Sequence, residues 1–250
     1  MLVTLLPVAF FLVAVLYASV GFGGGSTYTA LLVLAEIDYR LIPVVSLICN
    51  ILVVSGSCWR YHAADLLPVR RLAPAMLVSV PLAWLGGLLP IGEDVFVLVL
   101  GLSLAATGGL LLIQPRLASD QGSLPEWLLY PVGAGAGFLA GLVGIGGGIF
   151  LAPILYLIRW ASEREIAAAA SLFILVNSSA GLAGQLMGLD GADGLQVPNW
   201  VYSLPIIVLI GGWLGNRLGI AILPVERLRQ ATALLILIVA ARLLYRSFLA

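Results

Sequence analysis

The chain has 250 residues, 62% of them hydrophobic and only 10% charged, with a mean hydropathy of +1.13. A water-soluble domain cannot bury that much apolar surface, so lipid is the expected solvent. Twelve basic residues, every one an arginine, balance twelve acidic ones without forming a basic run, which argues against a nucleic-acid partner.

Apolar segments fall near residues 2–20, 26–35, 42–59, 72–89 and 95–113, and again near 127–143, 149–160, 166–187, 201–221 and 228–248. The first has no positive leading region and no Ala-x-Ala site, and it corresponds to 127–143. It therefore reads as part of the fold and not as a signal peptide. Crossing the hydrocarbon takes about 20 helical residues, so 26–35 and 149–160 are too short to span. Each follows a glycine cluster: Gly21-Phe22-Gly23-Gly24-Gly25-Ser26 and Gly144-Ile145-Gly146-Gly147-Gly148-Ile149. Glycine weakens a helix, so each cluster predicts a break. Residues 2–35 and 127–160 thus read as hairpins or broken helices dipping into the protein interior, where irregular backbone is tolerated at membrane depth.

The halves match beyond the glycines. Ser46-Leu47-Ile48 corresponds to Ser171-Leu172-Phe173, Val54-Ser55-Gly56 to Ser179-Ala180-Gly181, and Trp84-Leu85-Gly86 to Trp213-Leu214-Gly215. The expected fold is an all-α polytopic membrane protein of two repeats, 1–113 and 127–250, joined by a polar linker, 114–126, into one functional unit. Loop charge predicts that the repeats are inverted. Arg60, Arg70 and Arg71 mark the 60–71 loop as cytoplasmic, whereas Glu93 and Asp94 mark 90–94 as external. Arg116 in the linker fits inside, and Arg159 and Arg164 flank one loop of the second half. Loop 188–200, the counterpart of 60–71, carries Asp190 and Asp193 and no arginine; Arg227 and Arg229 place the next loop inside. Each half is then a broken-helix or re-entrant hairpin plus three transmembrane helices. Arg40, Arg242 and Arg246 fall on the outer side in this scheme.

Broken helices repeated in two halves of a membrane chain point to a transporter binding site. Helix amino termini offer unpaired N–H groups and a positive dipole end, which suit an anion without a buried full charge. Candidate substrate-binding residues are Gly23, Gly24, Gly25 and Ser26 in the first motif and Gly146, Gly147 and Gly148 in the second. The central glycines, Gly24 and Gly147, are expected to lie against the substrate. Ser26 either donates to the anion or caps its own helix. Asn50, Asn177 and Ser178 bring amides and a hydroxyl to membrane depth, where they bind the anion or bond between helices. Ser46, Ser55, Ser57, Ser171, Ser179 and Gln185 read rather as interhelical bonds. Cys49 and Cys58, on one helix about 13 Å apart, are too far apart for a mutual bridge, and Cys49 reads as an apolar filler. His62, in the arginine loop, is no proton relay, and Arg217 reads as a snorkelling cation. No metal-ligand spacing and no cofactor motif is present.

These residues resemble the sulfite exporter TauE/SafE family. The resemblance rests on Gly-x-Gly-Gly-Gly followed five residues later by proline, then a small-residue, serine-containing helix: Gly144, Gly146, Gly147, Gly148, Pro153, and Ala167 to Ser171. The first half has Gly21, Gly23, Gly24 and Gly25, with Ala30 in place of the proline; Trp59-Arg60-Tyr61 also matches. The resemblance implies export or uptake of a small sulfur-containing anion, such as sulfite, a sulfonate, sulfoacetate or thiosulfate. The expected protein is a multi-pass permease of the bacterial inner membrane, contacting lipid and its anion. A passive channel and, far behind, an intramembrane enzyme are the alternatives. The latter lacks a nucleophile and base at membrane depth. Homo-oligomerisation is left open.

Overall fold

The computed structural model describes residues 2–120, 126–158, 160–189, 197–218 and 225–249. Ten α-helices fill them: α1 Leu2–Val20, α2 Gly25–Leu34, α3 Leu41–Ala63, α4 Val69–Leu88, α5 Glu93–Asp120, α6 Leu129–Val143, α7 Gly148–Leu157, α8 Glu163–Gly188, α9 Leu204–Leu218 and α10 Val225–Leu249. Short 3-10 turns, Glu126–Leu128 and Asn199–Ser203, lead into α6 and α9. There is no strand among the described residues. Five helices are long and apolar enough to cross a membrane, those over 41–63, 69–88, 93–112, 163–188 and 199–218. Helix α5 runs to Asp120, into the expected linker. Asp190, Asp193 and Arg159 lie outside the described residues, as do the side chains of Arg116, Arg227, Arg229 and Arg246.

Glycine sets how the helices meet. A Cβ on Gly133 would stand 3.3 Å from Ala75 O, one on Gly137 would stand 2.8 Å from Ser79 Cα, and one on Gly141 would overlap Ala83 O. So α6 and α4 run parallel, backbone against backbone. Helix α8 joins them in the same direction: Cβ atoms on Gly181 and Gly184 would overlap Gly141 and Trp84 O, and one on Gly188 would stand 3.2 Å from Leu88 O. A second parallel group forms from α1, α3 and α9. There a Cβ on Gly211 would stand 2.8 Å from Phe11 O, one on Gly215 would overlap Val15 O, and one on Gly56 would stand 2.6 Å from Asn216 Nδ2. Small residues permit this close approach, which supplies dispersion where lipid removes the hydrophobic drive between helices.

The two groups run antiparallel to each other. Along the α3–α8 seam, Leu47 faces Gly181 while Tyr61 packs with Ala167 and Ala168. Each group takes two helices from one half and its fourth helix from the other: α1, α3 with α9, and α6, α8 with α4. The pairing is exchanged on the flank as well, with α10 against α2 and α5 against α7.

The short helices hang from hairpins. Helix α1 runs up beside α3 as far as Arg60, whose guanidinium donates to Ala18 O at 3.4 Å. The chain then reverses, and α2 descends along α3 from Asn50 past Ser46. The second hairpin, α6 and α7, does the same against α8.

Candidate functional site

Both hairpin tips end in the same local geometry. Gly24 precedes α2 at φ 80° and Gly147 precedes α7 at φ 76°, a left-handed turn that a side chain would strain by about 1–2 kcal/mol. Gly21 and Gly144, at φ 85° and 77°, close the preceding helices. The first intrahelical bonds are Thr27 N–H to Gly24 O, 3.0 Å, and Phe150 N–H to Gly147 O, 3.1 Å. The N–H groups of Gly25, Ser26, Gly148 and Ile149 therefore lie ahead of each ladder and carry the positive end of the dipole. Ser26 is inside the first turn of α2, with Gly24 at the capping position, so it does not cap that helix.

The tips meet at Asn50. This residue sits midway along α3 and is wholly buried. A Cβ on Gly23 or Gly25 would overlap its amide, and one on Gly146 would stand 2.5 Å from its Nδ2. Asn50 Nδ2 donates to Ile145 O at 3.3 Å, while Oδ1 has no partner among the described residues. Ser178 of α8 is also wholly buried, and its Oγ is unpartnered and 3.0 Å from the Cβ position of Gly146. Unmade hydrogen bonds on buried groups cost about 1–3 kcal/mol each.

The other predicted residues divide. Gly148 faces Ile174 of α8. Gly24 and Gly147, expected against the substrate, direct their missing Cβ away from this meeting point: Gly24 toward Val13 and Tyr17 of α1 and Tyr28, Gly147 toward Ala136 O and Phe173. Asn177 turns its amide back to Phe173 O of its own helix at 2.8 Å, leaving Oδ1 unpartnered. Cys49 and Cys58 are both buried free thiols of α3. Arg217 stacks its guanidinium over Trp213 at 4.0 Å.

Two reciprocal bonds hold the tips together. Ser46 of α3 donates to Gly144 O of the opposite hairpin at 2.8 Å, with Gly25 O at 3.0 Å, and accepts from Thr29 Oγ1 at 3.0 Å. Ser171 of α8 donates to Gly21 O of the first hairpin. A second pair sits at the hairpin shoulders. Arg60 reaches Ala18 O and, at 3.3 Å, Asn216 O; Gln185 reaches Gly141 O at 2.7 Å and Leu142 O at 3.3 Å. Arg60 and Gln185 are equivalent positions that differ in charge. The register shared by Ser46 and Ser171 is the signal that could have paired them. The hydroxyl of Tyr28, unpartnered and wholly buried beneath Phe10 in a stack with centroids 4.7 Å apart, carried no such signal.

The two glycine-tipped half-helices recur across the whole chain, and residues 6–243 match the family described as sulfite exporter TauE/SafE. The chain belongs to this family. Among TauE/SafE relatives, it is similar to the probable membrane transporter protein y4hK of Sinorhizobium fredii (strain NBRC 101917 / NGR234). The two are 29% identical over 248 residues, 96% of this chain and 97% of that protein. It is also similar to the probable membrane transporter protein YunE of Bacillus subtilis (strain 168), 28% identical over 137 residues, 54% of this chain and 45% of that protein. No solved structure matches. Together with the five candidate spans, this makes the TauE/SafE chain a multi-pass membrane transporter and not an enzyme.

Proposed function

We propose that this transporter moves a small sulfur-containing oxyanion of the sulfite, sulfonate, sulfoacetate or thiosulfate type by secondary transport or facilitation. The observation that carries this reading is the meeting of two half-helix amino termini at Asn50. Their free N–H groups and the amide there can donate to sulfur-bound oxygens without a buried cation. The family's description points to the same class of anion.

The working geometry is that of inverted repeats. In support, the two helix groups run antiparallel, and the hairpins approach Asn50 from opposite ends. The arginines also segregate. Arg60, Arg70, Arg71, Arg164 and Arg217 lie at one end, which we take as cytoplasmic. Glu36, Asp38, Glu93 and Asp94 lie at the other with Arg40 and Arg242. There Arg242 meets Glu36 at 3.4 Å, and the Arg40 hydrogen bond holds the Asp38 carboxyl below its ordinary range.

Neutral donors desolvate a monoanion at lower cost than a dianion. Uptake of labelled sulfite into proteoliposomes should therefore fall as pH rises through the second ionisation of sulfite, and unlabelled sulfite inside should accelerate it. A steady rise with pH would refute the monoanion preference. Absence of trans-stimulation would make the protein a channel.

A further inference from the structure

We propose that the anion subsite is one-sided: a single tetrahedral monoanion binds at the amino terminus of α7, between Ser178 Oγ and the Asn50 amide. This rests on the reading that the hairpin tips hold an anion, and it names which tip does so. The two tips differ in backbone as well as in side chains: Gly146 is left-handed at φ 84°, and its counterpart Gly23 is not. Around Gly23 stand Asn50 and Val54; around Gly146 stand Ile174 and Ser178, with Asn50 reaching across. Beside Asn50, the nearest side chain to the Cβ position of Gly23 is Val54, whereas at Gly146 it is Ser178. One polar side chain comes from each half, and both converge on Gly146.

The position of the missing methyl at Gly146 lies 2.5 Å from Asn50 Nδ2 and 3.0 Å from Ser178 Oγ. An amide and a hydroxyl therefore converge on Gly146 with no side chain between them. Behind them, α7 presents the N–H groups of Gly148 and Ile149 at the head of a ten-residue helix. Ser178 Oγ is wholly buried and unpartnered, so it is a donor held for something other than the protein. Asn50 Nδ2 makes one long bond, to Ile145 O, and can exchange it for an anion oxygen. At the first tip the corresponding wall is the Val54 methyl, 3.0 Å from the Cβ position of Gly23, and it offers no donor.

The test uses the full chain in detergent, with sulfite and methanesulfonate as probes, and reads both affinity by calorimetry and melting temperature. Ser178→Ala should melt at or above the wild-type temperature without ligand, because it removes an unsatisfied hydroxyl. It should bind both probes about tenfold or more weakly, the loss expected for a hydrogen bond to a charged group. Ser178→Cys, which keeps the volume with a weaker donor, should lose affinity in the same direction. Val54→Ala should bind as wild type. If Ser178→Ala and Ser178→Cys bind as wild type, or Val54→Ala loses as much as they do, the one-sided subsite is wrong while anion binding stands. If the wild type binds neither probe, the anion reading fails and the subsite with it.

Discussion

Gly87 and Gly101 both sit inside long helices, and from sequence an added methyl at either is expected to be milder than at Gly24 or Gly147 and to act through packing. Their surroundings are unlike. A methyl at Gly101 stands 3.0 Å from Leu244 Cδ2, a flexible tip that can move. A methyl at Gly87 overlaps Gly181 O and stands 2.9 Å from Gln185 N, backbone atoms that cannot move without parting α4 from α8. Gly101→Ala should melt near the wild-type temperature, since helix propensity returns up to about 1 kcal/mol. Gly87→Ala should lose roughly 1–3 kcal/mol; equal melting temperatures in detergent would refute this account. The same blindness to direction explains the assignment of Gly24 and Gly147. A run of glycines shows where a chain breaks, but only the left-handed turn decides which Cα–H bonds look inward. That is why Gly23, Gly25 and Gly146 border Asn50. Asn50 and Asn177 looked alike in sequence, yet one reaches both tips and the other bonds to its own helix.

Among the elements, the short helices were the most legible, because glycine clusters and length limits act locally. Their ends moved by only a residue or so at the start, while α7 stops at Leu157. The segment expected over 201–221 instead divides into a 3-10 turn and α9, with Pro205 in the first helical turn, where its missing N–H costs little. Helix ends also carry strain. Helix α3 closes with Leu66 N–H donating to Tyr61 O at 2.9 Å, which needs a left-handed residue in between, and Asp65 takes that conformation at φ 53°. Asp65→Gly should raise stability by about 1 kcal/mol, read as a higher melting temperature with unchanged transport. A lower melting temperature would mean that the Asp65 side chain makes a contribution larger than the strain.

For the whole molecule, loop charge is the basis of the proposed topology. Exposed Ala64 follows α3 at the arginine-rich end, and Gly92 lies open before α5 at the other. Single cysteines at these positions, on a Cys49→Ala, Cys58→Ala background, should react with an impermeant reagent from opposite sides of the membrane. Reaction from the same side would overturn the topology. The exchanged partnership of α4 and α9 left no readable trace. The motif Trp-Leu-Gly marks both helices as equivalent, but the close approaches of Gly86 to Phe138 O and Gly215 to Val15 O belong to pairs far apart in the chain. Pattern within a segment reports its own faces, not the neighbour that fills them.

That exchange has a consequence for biogenesis. During synthesis α1 and α3 enter the membrane with the groove for α9 vacant, and α4 waits for α6 and α8 to be made. Neither half of the chain therefore completes its own helix packing. The glycine-lined faces of the first half are completed only as α6, α8 and then α9 arrive. A chain severed between α5 and α6 yields two fragments, each holding the helix that the other lacks, shaped to assemble as a pair and not to stand alone.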